Sequence, residues 1–340
     1  MELGYNFRPR FTEWVVANKL LQSRFVLLDI GVQGGIHPRW NHLGAALEVH
    51  GFDALAETVA PLAAAAPPRH HYYSMALGNE DGHTTLFVPA NKFAASLALR
   101  DLAPEHRRLR IDPGVSASPQ PRTVPVARLD TLLRNGLIPP PDFLKMDCEG
   151  HEPAILRGAA ELLAGRSLIG IQSEIGLLPS GARQSHFSDV FEQLRPHGFA
   201  VTDVVADRFA CRSFADRAVA LDRRRAISGL AGAVGALEML FVAVPAAADR
   251  LTADRLLKCA IVLELFGFND MAYDVLIAGA DRVAGAADIA PAADRLIYRP
   301  SIARSDSSIS RALGDLGRAL IRSMHYRFDR RLAPGPPFAD

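Results

Sequence analysis

Residues 143–161 read FLKMDCEGHEPAILRGAAE. A short apolar run, Phe143 to Met146, stops at Asp147. Cys148, Glu149, Gly150 and His151 follow, and from Pro153 the apolar residues recur at helical spacing: Ile155, Leu156, Ala159, Leu162, Leu163. Buried strands of parallel sheets read as short apolar runs, and α/β proteins keep their ligands at the carboxyl ends of such strands. Two carboxylates and an imidazole at that edge suggest a reaction centre. The competing reading is that Asp147 or Glu149 caps the helix, since a carboxylate there meets free N–H groups and the positive end of the dipole. This segment by itself leaves both readings open.

Working outward, apolar runs predict strands at 25–30, 47–52, 72–77, 84–88, 123–126, 143–146, 168–173, 199–205 and 236–244, with 84–88 as a hairpin return. Helical patterns lie between them at 40–46, 55–66, 129–135, 153–163 and 187–197. Gly198 is placed to end the last of these. Strands alternating with helices predict an α/β fold, Rossmann-like, with a mostly parallel sheet. The last two strands have no evident crossover helix between them, only a long loop containing Arg223, Arg224 and Arg225, so the final strand is expected to be antiparallel.

The first strand ends in DIGVQGG, residues 29–35. Gly31, Gly34 and Gly35 permit positive backbone dihedrals and close approach of a ligand. Asp53 follows the second strand roughly 20 residues later, where an acid meets a ribose diol. The turn departs from GxGxxG, and Asp29 beside it would repel a pyrophosphate. It would attract the ammonium and sulfonium of S-adenosylmethionine instead. The alternative is a tight turn with no ligand.

At this point the residues resemble the FkbM-type methyltransferase family. The matching pieces are DIGVQGG at 29–35, GFDAL at 51–55, MALGNEDGHTTLFVP at 75–89, ASL at 95–97, VARLDTLL at 126–133, DFLKMDCEGHEPAILRGA at 142–159 and IGIQSEI at 169–175. Gln33 stands where the family commonly has Asn, Gly34 adds a glycine, and Asp53 replaces a Glu followed by Pro. The resemblance implies a class I methyltransferase fold and methyl transfer from S-adenosylmethionine to an oxygen of a sugar, glycan or polyketide-like acceptor. It implies that Asp29, Gly31, Gln33, Gly35, Asp53, Ala76 and Leu77 hold the cofactor. It does not reach residues 246–340.

Asp147 is then the expected polar group nearest the transferred methyl, with Glu149 or His151 as base. Lys145 is expected to pair with one of these acids, and Glu152 to favour the helix dipole. Glu174 ends the next strand. If a magnesium ion takes part, Asp147 and Glu174 with water would hold it. Cys148 reads as a small strand-end residue rather than a nucleophile, and Trp40 as core rather than a stacking platform. Arg100, Arg107, Arg108 and Arg110, in the connection 98–122, would meet an anionic acceptor or simply form a solvated face.

The 340 residues carry a formal net charge of +1 and no lysine-rich tract, so nothing points to nucleic acid. Three cysteines without CxxC spacing suit a reducing compartment. Residues 227–248 are long enough to span a membrane, but Glu238, the glycines and Pro245 favour a turn and one buried strand. The protein is expected to be cytoplasmic and soluble. The expected domains are an N-terminal helical segment (1–24), a methyltransferase domain (25–245) and a helical extension with a loose tail (246–340). Leucine and isoleucine stripes in that extension are expected to pack on the main domain, and leave room for a homo-oligomer. Two other classes compete with the methyltransferase: an NAD-dependent oxidoreductase on a similar sheet, and a scaffold protein that has lost its chemistry.

Overall fold

In the computed structural model the described residues are Leu3, 5–89, 95–97, 119–177, 187–209, 233–243, 252–280 and 292–303. They belong to one compact unit, Met1–Ala303. The arginines at 100–110 and 223–225 and the apolar stripe at 309–321 lie outside the described residues.

Seven strands form the main sheet: β1 (Phe25–Ile30), β2 (Leu47–Asp53), β3 (His70–Ser74), β4 (Phe143–Met146), β5 (Gly170–Gly176), β6 (Phe199–Phe209) and β7 (Ala233–Ala243). Their order is β6-β7-β5-β4-β1-β2-β3. All are parallel except β7, which runs antiparallel to both β5 and β6. This is the class I methyltransferase sheet, with the expected antiparallel last strand. The chain builds outward from β1 through β2 to β3, then returns to the other side of β1 with β4. That reversal opens a crevice at the carboxyl ends of β1 and β4, where such sheets bind ligands.

The helices are α1 (Arg10–Ala17), α2 (Ala56–Ala64), α3 (Leu129–Arg134), α4 (Glu152–Arg157), α5 (Ala160–Ala164), α6 (Phe187–Leu194), α7 (Ala253–Leu265) and α8 (Asn269–Ala280). Side chains alternate across the sheet. On one face Phe25, Leu27, Val49, Phe143 and Leu240 share a core with α1, α7 and α8. On the other, Leu28, Ile30, Leu144, Met146 and Phe241 share a core with α3 to α6.

Three details depart from the sequence reading. The run 72–77 is two strands: Ala76–Leu77 leaves β3 and pairs with Val126–Ala127 in a separate three-stranded sheet. The strand Gly82–Val88 pairs antiparallel with Gln120–Ala127, so it does not fold back on β3 as a hairpin. The helix expected over 153–163 is broken into α4 and α5, with Ala159 outside the helical region and Gly158 pressed against the Gly78 carbonyl. Gly198 does end its helix in the left-handed conformation, φ 86°.

α7 buries every residue from Leu256 to Leu265. A helix apolar on all sides belongs in an interior. Its polar exceptions are each matched: Glu264 accepts from the Phe11 and Thr12 amides at 2.8 and 2.6 Å, and Lys258 meets Asp142 at 2.9 Å. No helix among the described residues is long and apolar enough to cross a membrane. Residues 233–243 of the long apolar stretch form β7.

Candidate functional site

One face of the sheet changes character along its strands. β1 reads Phe25, Leu27, Asp29 on that face, β4 reads Phe143, Lys145, Asp147, and β2 reads Val49, Gly51, Asp53. The apolar ends share the core with α1 and α7; the polar ends converge on the crevice. Register puts Asp29 beside Lys145 and Lys145 beside Gln172.

Lys145 organises this cluster. Its Nζ lies 3.3 Å from Asp29 Oδ1 and 3.5 Å from Asp147 Oδ2, and donates to the Gly31 carbonyl at 3.1 Å. Burial works against the ammonium, but the Asp29 and Asp147 carboxylates outweigh it and hold its pKa above the ordinary lysine value. Asp29 is 3% exposed. Burial pushes its pKa up, and Lys145 pulls against that. Its Oδ1 is an ion-pair contact with no aimed hydrogen-bond donor. Lys145 had been expected to pair with an acid here; it pairs with two.

The turn after β1 is bound to β2, for Gly31 N and Val32 N both donate to the Phe52 carbonyl, at 2.8 and 3.1 Å. Gly31 has φ 81°, and any Cβ there would run into the Asp147 carbonyl. Glycine is required at this position both for the dihedral and for the space. Gly35 also has positive φ. Asp53 closes β2 and turns inward: its Oδ1 accepts from the Leu55 amide at 2.7 Å, and the Gln33 side chain hydrogen-bonds to it. Burial nonetheless raises its pKa. Gln33 and Asp53 are thus brought together across the turn.

The 147–151 loop is held on three sides. Asp147 N donates to the Ile30 carbonyl at 3.0 Å, and Ser96 Oγ donates to the Glu149 carbonyl at 2.8 Å. The Glu152 carboxylate accepts from Cys148 N at 2.9 Å and Gly150 N at 3.3 Å. Glu149 and Gly150 both have positive φ, 57° and 102°. The N-cap position of α4 is held by His151, with no side-chain cap hydrogen bond of its own. Glu152 stands in the first turn of α4, as expected, and also reaches back to shape the loop.

The expected site residues separate into groups. Asp29, Lys145 and Asp147 meet at the crevice. His151 Nε2 packs against Gly78, at 3.1 Å from where a Cβ would stand, beside Val126. Ala76 and Leu77 point their side chains into apolar cores, leaving only backbone for a ligand. Glu174 is one residue past the Met146–Ser173 pair, level with Asp147, and pairs with Glu238 of β7. Among the described residues Trp40 is core, stacked on Phe25 at 5.5 Å and tilted against Phe143 at 4.8 Å. Cys148 is half-buried and its thiol pKa is pushed well up by desolvation and the nearby Glu152 and Asp147 charges, as expected for a residue without nucleophilic work.

Three residues at this site carried weak signals in the sequence. Gln172 interrupts an apolar strand, and its amide donates to Glu238 Oε1 at 2.5 Å. Glu238 was visible only as a charge in a long apolar run; burial and then the Asp147 carboxylate raise its pKa. His37 Nδ1 accepts from both the Arg39 amide and Arg39 Nε, each at 3.1 Å. Its proton therefore sits on Nε2, and burial with the Arg39 and Lys145 charges lowers its pKa to about 3.

Residues 38–201 match the family model described as the methyltransferase FkbM domain. No curated protein matches the chain. Among solved structures, methyltransferase FkbM of Methylobacillus flagellatus KT is 11% identical, with 67% of this chain and 47% of that one covered and a TM-score of 0.34. The chain therefore spans about half the length of that protein. The 1,6-didemethyltoxoflavin-N1-methyltransferase of Burkholderia thailandensis is 14% identical, covering 71% of this chain and 80% of that one, TM-score 0.29. Magnesium protoporphyrin IX methyltransferase of Synechocystis PCC 6803 is 11% identical, covering 68% and 76%, TM-score 0.30. Residues 38–201 are thus similar to the FkbM methyltransferase domain and lie in a sheet of class I strand order.

Proposed function

We propose that the protein transfers a methyl group from S-adenosylmethionine to an oxygen, a hydroxyl of a sugar, glycan or secondary-metabolite acceptor. The observation that carries this reading is the Asp29–Lys145–Asp147 cluster at the reversal between β1 and β4, 3.3 and 3.5 Å across its two ion pairs. The residues fit the cofactor: the glycine turn offers backbone at close range, and the buried Asp29 Oδ1 lacks an aimed donor that an ammonium would supply. Two carboxylates at this point suit a cationic ligand and oppose a pyrophosphate. Asp53 and Gln33 would take the ribose hydroxyls, with Gly31, Gly35 and the backbone of Ala76 and Leu77 lining the rest. The bound cofactor supplies an electrophilic methyl.

The chain's own work is then positioning and proton handling. Aligning the acceptor oxygen with the methyl is worth about 7–11 kcal/mol, and a base adds about 10²–10⁴-fold. Asp147 is the first candidate base, because its side chain is 42% exposed at the crevice mouth. Glu149 and His151 would act on an acceptor lying across the loop. Magnesium enters only if Asp147 and Glu174 hold it, which turnover insensitive to EDTA would exclude.

Calorimetry with S-adenosylmethionine, S-adenosylhomocysteine and NAD tests the reading. The two sulfur nucleotides should bind and NAD should give no heat. If neither sulfur nucleotide binds, the methyltransferase reading is wrong. Asp53→Ala should weaken binding, while Asp147→Ala should turn over about 10²–10⁴-fold more slowly.

A further inference from the structure

Glu48 and His50 stand two residues apart on β2, and His71 stands beside His50 on β3. Alternation puts Glu48 and His50 on the same side, and cross-strand pairing adds His71 to it. His50 is paired with Leu28 of β1, whereas Asp29 is paired with Gly51, so this trio lies on the face opposite the Asp29–Lys145 cluster. One ligand atom from each of the three lies within 4.8 Å of the other two. His50 Nε2 is already 3.2 Å from Glu48 Oε1. The His50 and His71 rings are stacked, 5.0 Å between centroids at 24°.

The arrangement behind His50 is that of a metal ligand. Its other nitrogen, Nδ1, lies 3.1 Å from the Tyr73 hydroxyl, which makes a long hydrogen bond of 3.5 Å to the Leu137 carbonyl. A histidine ligand characteristically has its second nitrogen held by such a partner, which orients the ring and fixes the tautomer. Arg24 sits 3.9 Å from Glu48 Oε2, leaving Oε1 turned to His50. His50 and Glu48 are held in the sheet, while His71 is exposed and has only its ring to turn.

We propose that Glu48, His50 and His71 form a site for one divalent transition metal of the zinc class, with water at the remaining position. Two imidazoles and one carboxylate select zinc, nickel or copper over magnesium, which prefers oxygen alone. Zinc bonds to nitrogen and oxygen of about 2.0–2.2 Å set tetrahedral ligands about 3.3–3.5 Å apart. The His50–Glu48 spacing of 3.2 Å nearly meets that, and a modest turn of the His71 ring closes the third edge. The ion would clip the sheet edge strand β3 to β2.

The test is equilibrium dialysis of the full chain, first stripped with chelator, against zinc and separately against magnesium. One zinc per chain is expected, with no magnesium bound. His71→Gln and Glu48→Gln should each weaken zinc binding at least tenfold, and Tyr73→Phe about 10–100-fold. His83→Gln, an exposed histidine on another sheet, should change nothing. Thermal melting without metal checks that each variant still folds; His71→Gln, altered at an exposed position, should melt like the parent. Cobalt gives a second readout, its visible bands shifting when His71 is replaced. A chain that binds no stoichiometric zinc, or binds it equally after His71→Gln and Glu48→Gln, overturns the proposal.

Discussion

Asp29 and Lys145 face each other across neighbouring parallel strands, 3.3 Å apart, with the aspartate almost wholly buried. Asp147 shares the same lysine, 3.5 Å from its Nζ. Removing one member of a buried pair leaves the other uncompensated. Lys145→Met should therefore cost about 3–5 kcal/mol in urea unfolding. Asp29→Asn in the same chain should recover much of that, because the aspartate left without its lysine is then neutral. If the double variant is as unstable as Lys145→Met alone, the pair is not coupled as described.

Two glycines of the same turn should behave differently. Gly31→Ala meets both a positive φ and the Asp147 carbonyl, so it should disturb the β1–β4 crevice and abolish binding of S-adenosylmethionine in calorimetry. Gly34 has φ 77° but open space around it, so Gly34→Ala should cost only the left-handed penalty, about 1–2 kcal/mol, and retain binding. Equal loss of binding in both would argue against the close contact at Gly31.

His37 makes stability depend on acid. Its pKa falls from 6.5 to about 3 on folding, so between those values the unfolded chain binds a proton that the folded chain refuses. Stability is then full above pH 6.5 and is lost progressively as pH falls toward 3. His37→Gln should flatten that part of a plot of urea midpoint against pH. An unchanged slope would remove His37 from the account, leaving the carboxylates responsible.

Glu264 joins the two ends of the described chain. It accepts from Phe11 N, Thr12 N, Thr12 Oγ1 and the Tyr298 hydroxyl, at 2.6 to 2.8 Å. Glu264→Ala strands several buried donors, and at about 1–3 kcal/mol for each the loss should exceed about 3 kcal/mol. Glu264→Gln keeps one acceptor oxygen and should lose less. Differential scanning calorimetry checks the order, and equal melting of the alanine variant and the parent would contradict it.

Much of the sheet was legible because its strands are short apolar runs with clear ends. Phe25–Ile30 and Phe143–Met146 form as read, with Asp29 one residue before the end of the first and Asp147 directly after the second. Boundaries failed where a distant contact decided them. Nothing local marks Ala76–Leu77 as belonging to another sheet; its partner, Val126–Ala127, is remote in the chain. The break between α4 and α5 is marked by Gly158, which presses against Gly78.

The candidate site divides the same way. Local pattern alone determined that acids stand at the carboxyl ends of β1, β2 and β4, because strand endings and glycine turns are written in consecutive residues. Which of them meet was decided only by strand order and register. These put Asp29, Lys145 and Asp147 around one point and send His151 to Gly78. The same pairing turned two interruptions in apolar runs, Gln172 and Glu238, into neighbours of that point. Side-chain alternation is set residue by residue, but the partner across the sheet depends on long-range packing, and a single chain read in order does not contain that distance.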